Sequence, residues 1–142
     1  MGVSIGILIA DDHEGARAAI ADVIRSSNED WRVCCEAEDG RSAVKMALER
    51  RPDVVILDVR MPKLDGMRAA QEIRAALPGV RIVLYTLLAT PRLEAAAHAS
   101  GFDVVAKPDS AGLVAAVRRA LGRTAPKDEQ APPSQSGTRP QS

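Results

Sequence analysis

The stretch RPDVVILDVRMP, residues 51–62, decides the fold. Val54, Val55, Ile56 and Leu57 form an unbroken apolar run, and Asp58 ends it abruptly. So short a run, with no polar alternation, fits a strand buried on both faces, as in a parallel sheet. Open α/β sheets bind ligands at the carboxyl ends of their strands. Asp58 therefore stands where such a sheet does its chemistry. Taken alone it would read as an ordinary loop residue, but three other strand ends also finish in polar groups.

Ile5–Ala10 (IGILIA) is a first buried strand and stops at Asp11-Asp12. Trp31–Ala37 (WRVCCEA) is a second. Residues 80–85 (VRIVLY) make the fourth, with Thr86 directly after, and Asp103–Ala106 (DVVA) the fifth, ending at Lys107-Pro108. Between the strands, apolar residues recur at helical spacing. The stripes are Ala16, Ile20, Val23 and Ile24; Ala43, Val44, Ala47 and Leu48; and Ala70, Ile73 and Leu77 after the turn at Asp65-Gly66. Thr90-Pro91 supplies a cap and a first-turn proline for an alanine-rich helix that ends near Ser100-Gly101. Asp109 or Ser110 caps the last helix, which turns Leu113, Val114, Val117 and Leu121 inward.

Five strands alternating with five helices predict a doubly wound, flavodoxin-like parallel sheet in the order 2-1-3-4-5. Its topological switch lies between strands one and three, so Asp11, Asp12 and Asp58 meet in one crevice. With 46% apolar residues but only 2% aromatic, the core is aliphatic. Residues 1–122 are expected to form the domain. Residues 123–142, with four prolines, serines and glutamines, are expected to be a disordered tail.

A net charge of zero argues against a nucleic-acid footprint. No stretch approaches the ~20 apolar residues of a membrane helix, and the first residues lack a signal peptide's pattern. Cys34 and Cys35 are adjacent and no third cysteine exists. They read as small buried thiols in a reducing, cytoplasmic compartment, since a metal site would need more ligands.

Three clustered carboxylates repel one another, and without a cation their pKa values are expected to rise. Mg²⁺ suits few carboxylates and several waters, at ~2.0–2.1 Å per ligand. Thr86 adds a hydroxyl and Lys107 a cation, so the set matches a phosphoryl group. Asp58 is the central candidate nucleophile, with Asp11 and Asp12 holding the metal. His13 reads as a solvated loop residue and His98 as helix surface.

Asp11-Asp12, Asp58, Pro62, Asp65-Gly66, Thr86 and Lys107-Pro108, in this order across residues 4–121, resemble the receiver domain of two-component response regulators. The resemblance implies that Asp58 accepts phosphate from a phosphohistidine on a sensor histidine kinase or phosphotransfer protein. It implies Mg²⁺ held by Asp12, Asp58 and the Arg60 backbone carbonyl, with Asp11 acting partly through water, and phosphoryl oxygens bound by Lys107 and Thr86. It also implies an output surface on the fourth helix, fifth strand and fifth helix, docking a downstream protein or a second copy. A cis peptide is expected at Lys107–Pro108, in the tight turn that aims the lysine.

Four positions depart from the family pattern. Val104 replaces the switch aromatic, Leu87 the usual small residue, and Arg60 and Leu88 flank the acceptor and the threonine. Tyr85 and Phe102 are the nearby rings, and strand alternation turns Tyr85 away from Thr86. An aspartate-nucleophile phosphatase would need an acid where Arg60 stands, so no enzyme activity beyond possible self-dephosphorylation is expected. The other readings are a phosphorylation-independent interaction module and a fragment of a longer DNA-binding regulator.

Overall fold

A computed structural model describes residues 4–122; the tail expected over residues 123–142 lies outside them. Five strands, β1 (Ile5–Ala10), β2 (Trp31–Ala37), β3 (Val54–Leu57), β4 (Arg81–Thr86) and β5 (Asp103–Ala106), pair in parallel in the order β2-β1-β3-β4-β5. They alternate with α1 (Glu14–Arg25), α2 (Gly40–Arg50), α3 (Gly66–Ala76), α4 (Pro91–Ala99) and α5 (Ser110–Gly122). The doubly wound sheet is the one the sequence predicts.

Strand alternation divides the core in two. Ile7, Ile9, Val54, Ile56, Val83, Tyr85 and Val105 pack with α1 and α5, through Ile20, Ile24, Leu113 and Val117. Leu8, Val55, Leu57, Ile82 and Leu84 pack on the opposite side with α2, α3 and α4. Alanines 43, 47, 69, 70 and 97 are fully buried there and let helix backbones come close to the sheet. Phe102 is the one large ring in that layer.

Four of the five helix starts are fixed by side-chain caps; α1, which follows His13, has none. Asp39 accepts from Ser42 N at 2.7 Å, Asp65 from Arg68 N at 2.9 Å, Thr90 from Leu93 N at 3.1 Å and Asp109 from Gly112 N at 2.8 Å. The last settles the choice between Asp109 and Ser110. Gly66 permits a contact that shapes the site. A Cβ there would fall 1.9 Å from the Asp58 carbonyl oxygen, and the Gly66 N–H donates to Val59 O at 2.7 Å. Only glycine lets α3 start this close to the acceptor loop.

Three details differ from expectation. β4 runs one residue later, because Thr86 still pairs with Ala106. Leu48 is 45% exposed, while Ala43 and Ala47 are fully buried in the narrow gap between α2 and the sheet, with Val44 and Met46 packed beside them. The register of β2 slips against β1, where Ile7 faces Val33 but Leu8 faces Cys35. Cys34 is thus an extra, bulged residue. The slip turns Trp31 and Val33 toward α1 and α5, and Cys35 and Ala37 toward α2 and α3.

Asp39 carries a measurable share of the α2 boundary. The Ser42 N–H, against the cost of burial, holds its carboxyl below the ordinary value of 3.8. Its charged form therefore stabilises the fold above that pH, and the contribution fades as pH falls through the folded value. Asp39→Ala is expected to cost about 1 kcal/mol at neutral pH, in the usual range for a lost cap. The gap to wild type should narrow in urea titrations below pH 4; a pH-independent gap would assign the cost to packing instead.

Candidate functional site

The carboxyl ends of β1, β3, β4 and β5 converge on one crevice. The backbone holds them in step: Asp58 N donates to Ala10 O at 2.9 Å, Asp11 N to Ala37 O at 3.1 Å and Lys107 N to Thr86 O at 2.9 Å. The Lys107–Pro108 peptide is cis, as expected from the sequence. The lysine side chain reaches back over the sheet. Its Nζ donates to Asp11 Oδ2 at 2.5 Å and to Asp58 Oδ2 at 2.9 Å. One ammonium thus bridges two carboxylates from different strands.

The carboxylates were expected to titrate high in the absence of a cation, and Asp11 does the opposite. Burial raises it, but the hydrogen bond from Lys107, the His13 N–H and the surrounding positive charge hold it below its ordinary value. Burial likewise pulls Lys107 down, while its bonds to Asp11 and Asp58 hold it above its ordinary value. Both directions favour a charged pair. The protein supplies the counter-cation itself.

Asp12 points outward and lies beside His13 Nδ1 at 3.1 Å. His13 is 76% exposed, as its reading as a loop residue required, yet it shares a ligand-sized cluster with both acids. One ligand atom each from Asp11, Asp12 and His13 falls within 4.8 Å. Carboxylate oxygens dominate this set, and a hard divalent ion such as Mg²⁺ fits it. Arg60 is exposed and, with Asp12, Met61, Pro62 and Met67, lines an open groove beside the site.

Thr86 is buried, and its Oγ1 accepts from Leu88 N at 3.0 Å, which leaves the hydroxyl proton free to donate. Val104 packs on the α2–α3 side. Tyr85 lies on the other side, facing away from Thr86 as alternation requires, with Lys107 Nζ 6.0 Å from its ring centre. His98 sits on the exposed surface of α4.

A model of the response regulator receiver domain matches residues 7–118. The chain belongs to the response regulator receiver domain family. It is similar to the chemotaxis protein CheY of Listeria monocytogenes, 34% identical over 109 residues, covering 76% of this chain and 90% of that protein. It is 36% identical over 110 residues, 76% of its length, to a protein-glutamate methylesterase/protein-glutamine glutaminase of Caldanaerobacter subterraneus subsp. tengcongensis. It spans only 30% of that methylesterase. Among solved structures, the CheX–CheY–BeF₃–Mg²⁺ complex of Borrelia burgdorferi aligns with a TM-score of 0.80 and 25% identity, covering 86% of this chain and 92% of that one. Among the described residues of this receiver domain, no helix is long and apolar enough to cross a membrane.

Arg17 is a site-shaping residue that the sequence reading passed over. Its Nη1 donates to the Asp11 carbonyl oxygen at 2.7 Å, and its Nε to Glu36 Oε1 at 3.1 Å. It ties the loop carrying both acids to the end of β2. Its position on the inner edge of the α1 stripe, five residues after Asp12, was the available signal.

Removing the ammonium should leave Asp11 as a buried, uncompensated charge. Lys107→Met is expected to destabilise the metal-free protein by about 3 kcal/mol, the lower end of what breaking a buried pair costs, since Lys107 keeps some solvent contact. Adding Asp11→Asn should recover about half of that loss, because it removes the charge left stranded. Urea unfolding of the two variants and of wild type at fixed salt checks both values. The pair's contribution is intact between the ordinary values of 3.8 and 10.5. It is lost as pH falls through the folded value of Asp11 or rises through that of Lys107.

Proposed function

We propose that this receiver domain is a phosphoacceptor signalling module, with residues 1–122 as the unit and Asp58 as the acceptor. The observation that carries the reading is the Lys107 ammonium held 2.9 Å from the Asp58 carboxylate at the end of the central strand. Asp58 is only partly buried, so a phosphodonor reaches it. An Asp58 oxygen attacks phosphorus, the nitrogen–phosphorus bond of a phosphohistidine breaks, and the imidazole leaves. In this reading Lys107 and the Thr86 hydroxyl bind the oxygens of the transferred group, and their charge and proton offset its negative charge. Asp11 and Asp12, with Asp58 and the Arg60 carbonyl, would hold Mg²⁺, which supplies charge neutralisation at the phosphoryl oxygens. The donor is a sensor histidine kinase or phosphotransfer protein.

The output face is proposed on α4, β5 and α5. Leu87 is 78% and Leu88 38% exposed, directly after Thr86, and of α4 only Ala97 is buried. A downstream protein or a second copy would dock there. Val104 favours one variation on this reading. With no ring at that position, the signal passes through the backbone of the β4–α4 loop and not through an aromatic side chain.

Incubation with acetyl phosphate and Mg²⁺, followed by intact mass, tests the reading. Wild type should gain one phosphoryl group, and Asp58→Asn or omission of Mg²⁺ should abolish the gain. An unlabelled wild type would instead leave a phosphorylation-independent interaction module.

The lifetime of the phosphoryl group is expected to be long. Water must attack in line, past Arg60 and Leu88. Arg60 is long enough to cover that approach, and Leu88 offers no hydrogen bond to position a water. Arg60→Asn with Leu88→Glu should therefore lose phosphate at least about tenfold faster once the donor is removed, corresponding to about 1.4 kcal/mol of barrier. Equal decay in both proteins would show that the two side chains stand clear of the water.

A further inference from the structure

Cys34 and Cys35 lie outside the crevice and take no part in phosphoryl transfer. Their sulfurs are 3.2 Å apart, although neighbours on a regular strand point to opposite faces. The β2 bulge explains the contact, because the extra residue Cys34 is turned to the same side as Cys35. β2 is an edge strand, Cys35 is buried and Cys34 half-buried, so the pair meets solvent from one side.

The geometry disfavours two common uses of a thiol pair. Adjacent Cα atoms are about 3.8 Å apart, short of the ~4.4–6.8 Å that an unstrained disulfide spans. Tetrahedral zinc, with bonds of about 2.3 Å to sulfur, needs its sulfurs about 3.8 Å apart and four ligands in all. The chemistry points the same way. Burial first, then the neighbouring Cys34 sulfur, pushes the Cys35 thiol up to about 12. It is neutral at physiological pH, and thiolate nucleophilicity and zinc binding are both disfavoured.

A centre that accepts neutral thiols, needs only two of them and has a narrow bond angle remains. At the same bond length of about 2.3 Å, sulfurs 3.2 Å apart subtend roughly 90°, which is narrower than a tetrahedral angle and suits a pyramidal trivalent centre. We propose that Cys34 and Cys35 form a bidentate site for a trivalent arsenical. The step balances without an oxidant. Two arsenic–sulfur bonds form, two arsenic–hydroxide bonds break, each thiol proton leaves with a hydroxide as water, and arsenic stays trivalent. The third arsenic position carries the organic group or the remaining hydroxide and points through the half-buried Cys34 side to solvent.

The test uses phenylarsine oxide and the full native chain, read by intact mass and by melting temperature. One arsenical should add per chain, resist glutathione, be stripped by dimercaptopropanol and raise the melting temperature. Cys34→Ala and Cys35→Ala, each first confirmed as folded by circular dichroism, should bind about 10²–10⁴-fold more weakly, the usual gain from a second linked contact. Three results would each overturn the site. They are equal affinity in a single-cysteine variant, removal by glutathione alone, and a lowered melting temperature, which would mean that the arsenical prefers the unfolded chain.

Discussion

The Lys107 ammonium between Asp11 and Asp58 is the contact on which the rest of this molecule turns. Asp11 is fully buried, and an ionised carboxylate in that position costs several kcal/mol unless it is paired. No other lysine or arginine side chain bonds to its carboxylate among the described residues. The pairing fixes the ends of β1, β3 and β5 to one another at the edge of the sheet where backbone pairing stops. The local chain is shaped to deliver it. Lys107 N is tied to Thr86 O, and Asp109 N to Ala106 O, so the turn is closed on both sides of the lysine.

The pairing also leaves the crevice unbalanced. One ammonium faces two carboxylates directly, and Asp12 adds a third beside the exposed His13 imidazole. A site with surplus negative charge and free oxygen ligands is selective for hard cations by composition alone. Under the proposed phosphoacceptor reading, the same lysine would pair with the acids before phosphorylation and with phosphoryl oxygens after it. Preorganisation of this kind would keep the cation in place at no reorganisation cost when that charge arrives.

Most of this was legible in the chain because the signal is one-dimensional. A short apolar run that ends in a polar residue marks both a buried strand and a strand end, and β1, β2, β3 and β5 have the bounds read from sequence. The topology rule then brings Asp11, Asp12 and Asp58 together with no knowledge of side chains. What was not legible depends on contacts through space. The bulge at Cys34 follows from how β2 fits β1, not from any residue preference in WRVCCEA. The lowered titration of Asp11 requires the direction of the Lys107 side chain, and the role of Arg17 requires the position of the Asp11 carbonyl. Leu48 stood on the inward stripe by spacing, but alanines at 43 and 47 draw α2 too close for it to fit beneath.

The substitution of valine at position 104 gains meaning from the Thr86 hydroxyl. Thr86 Oγ1 is bonded to Leu88 N, two residues along the same chain. If Thr86 turns to meet a phosphoryl oxygen, it either carries the Leu88 backbone with it or leaves that N–H unpaired, at a cost of about 1–3 kcal/mol if water does not replace the bond. Carrying the loop is the cheaper path, because Leu87 and Leu88 are exposed and little packing resists them. Two leucines on a short loop would then shift relative to α4, whose start is pinned separately by the Thr90 cap. Under the proposed phosphoacceptor reading, such a shift would reach Leu87 and Leu88, the exposed leucines that a docking partner would meet.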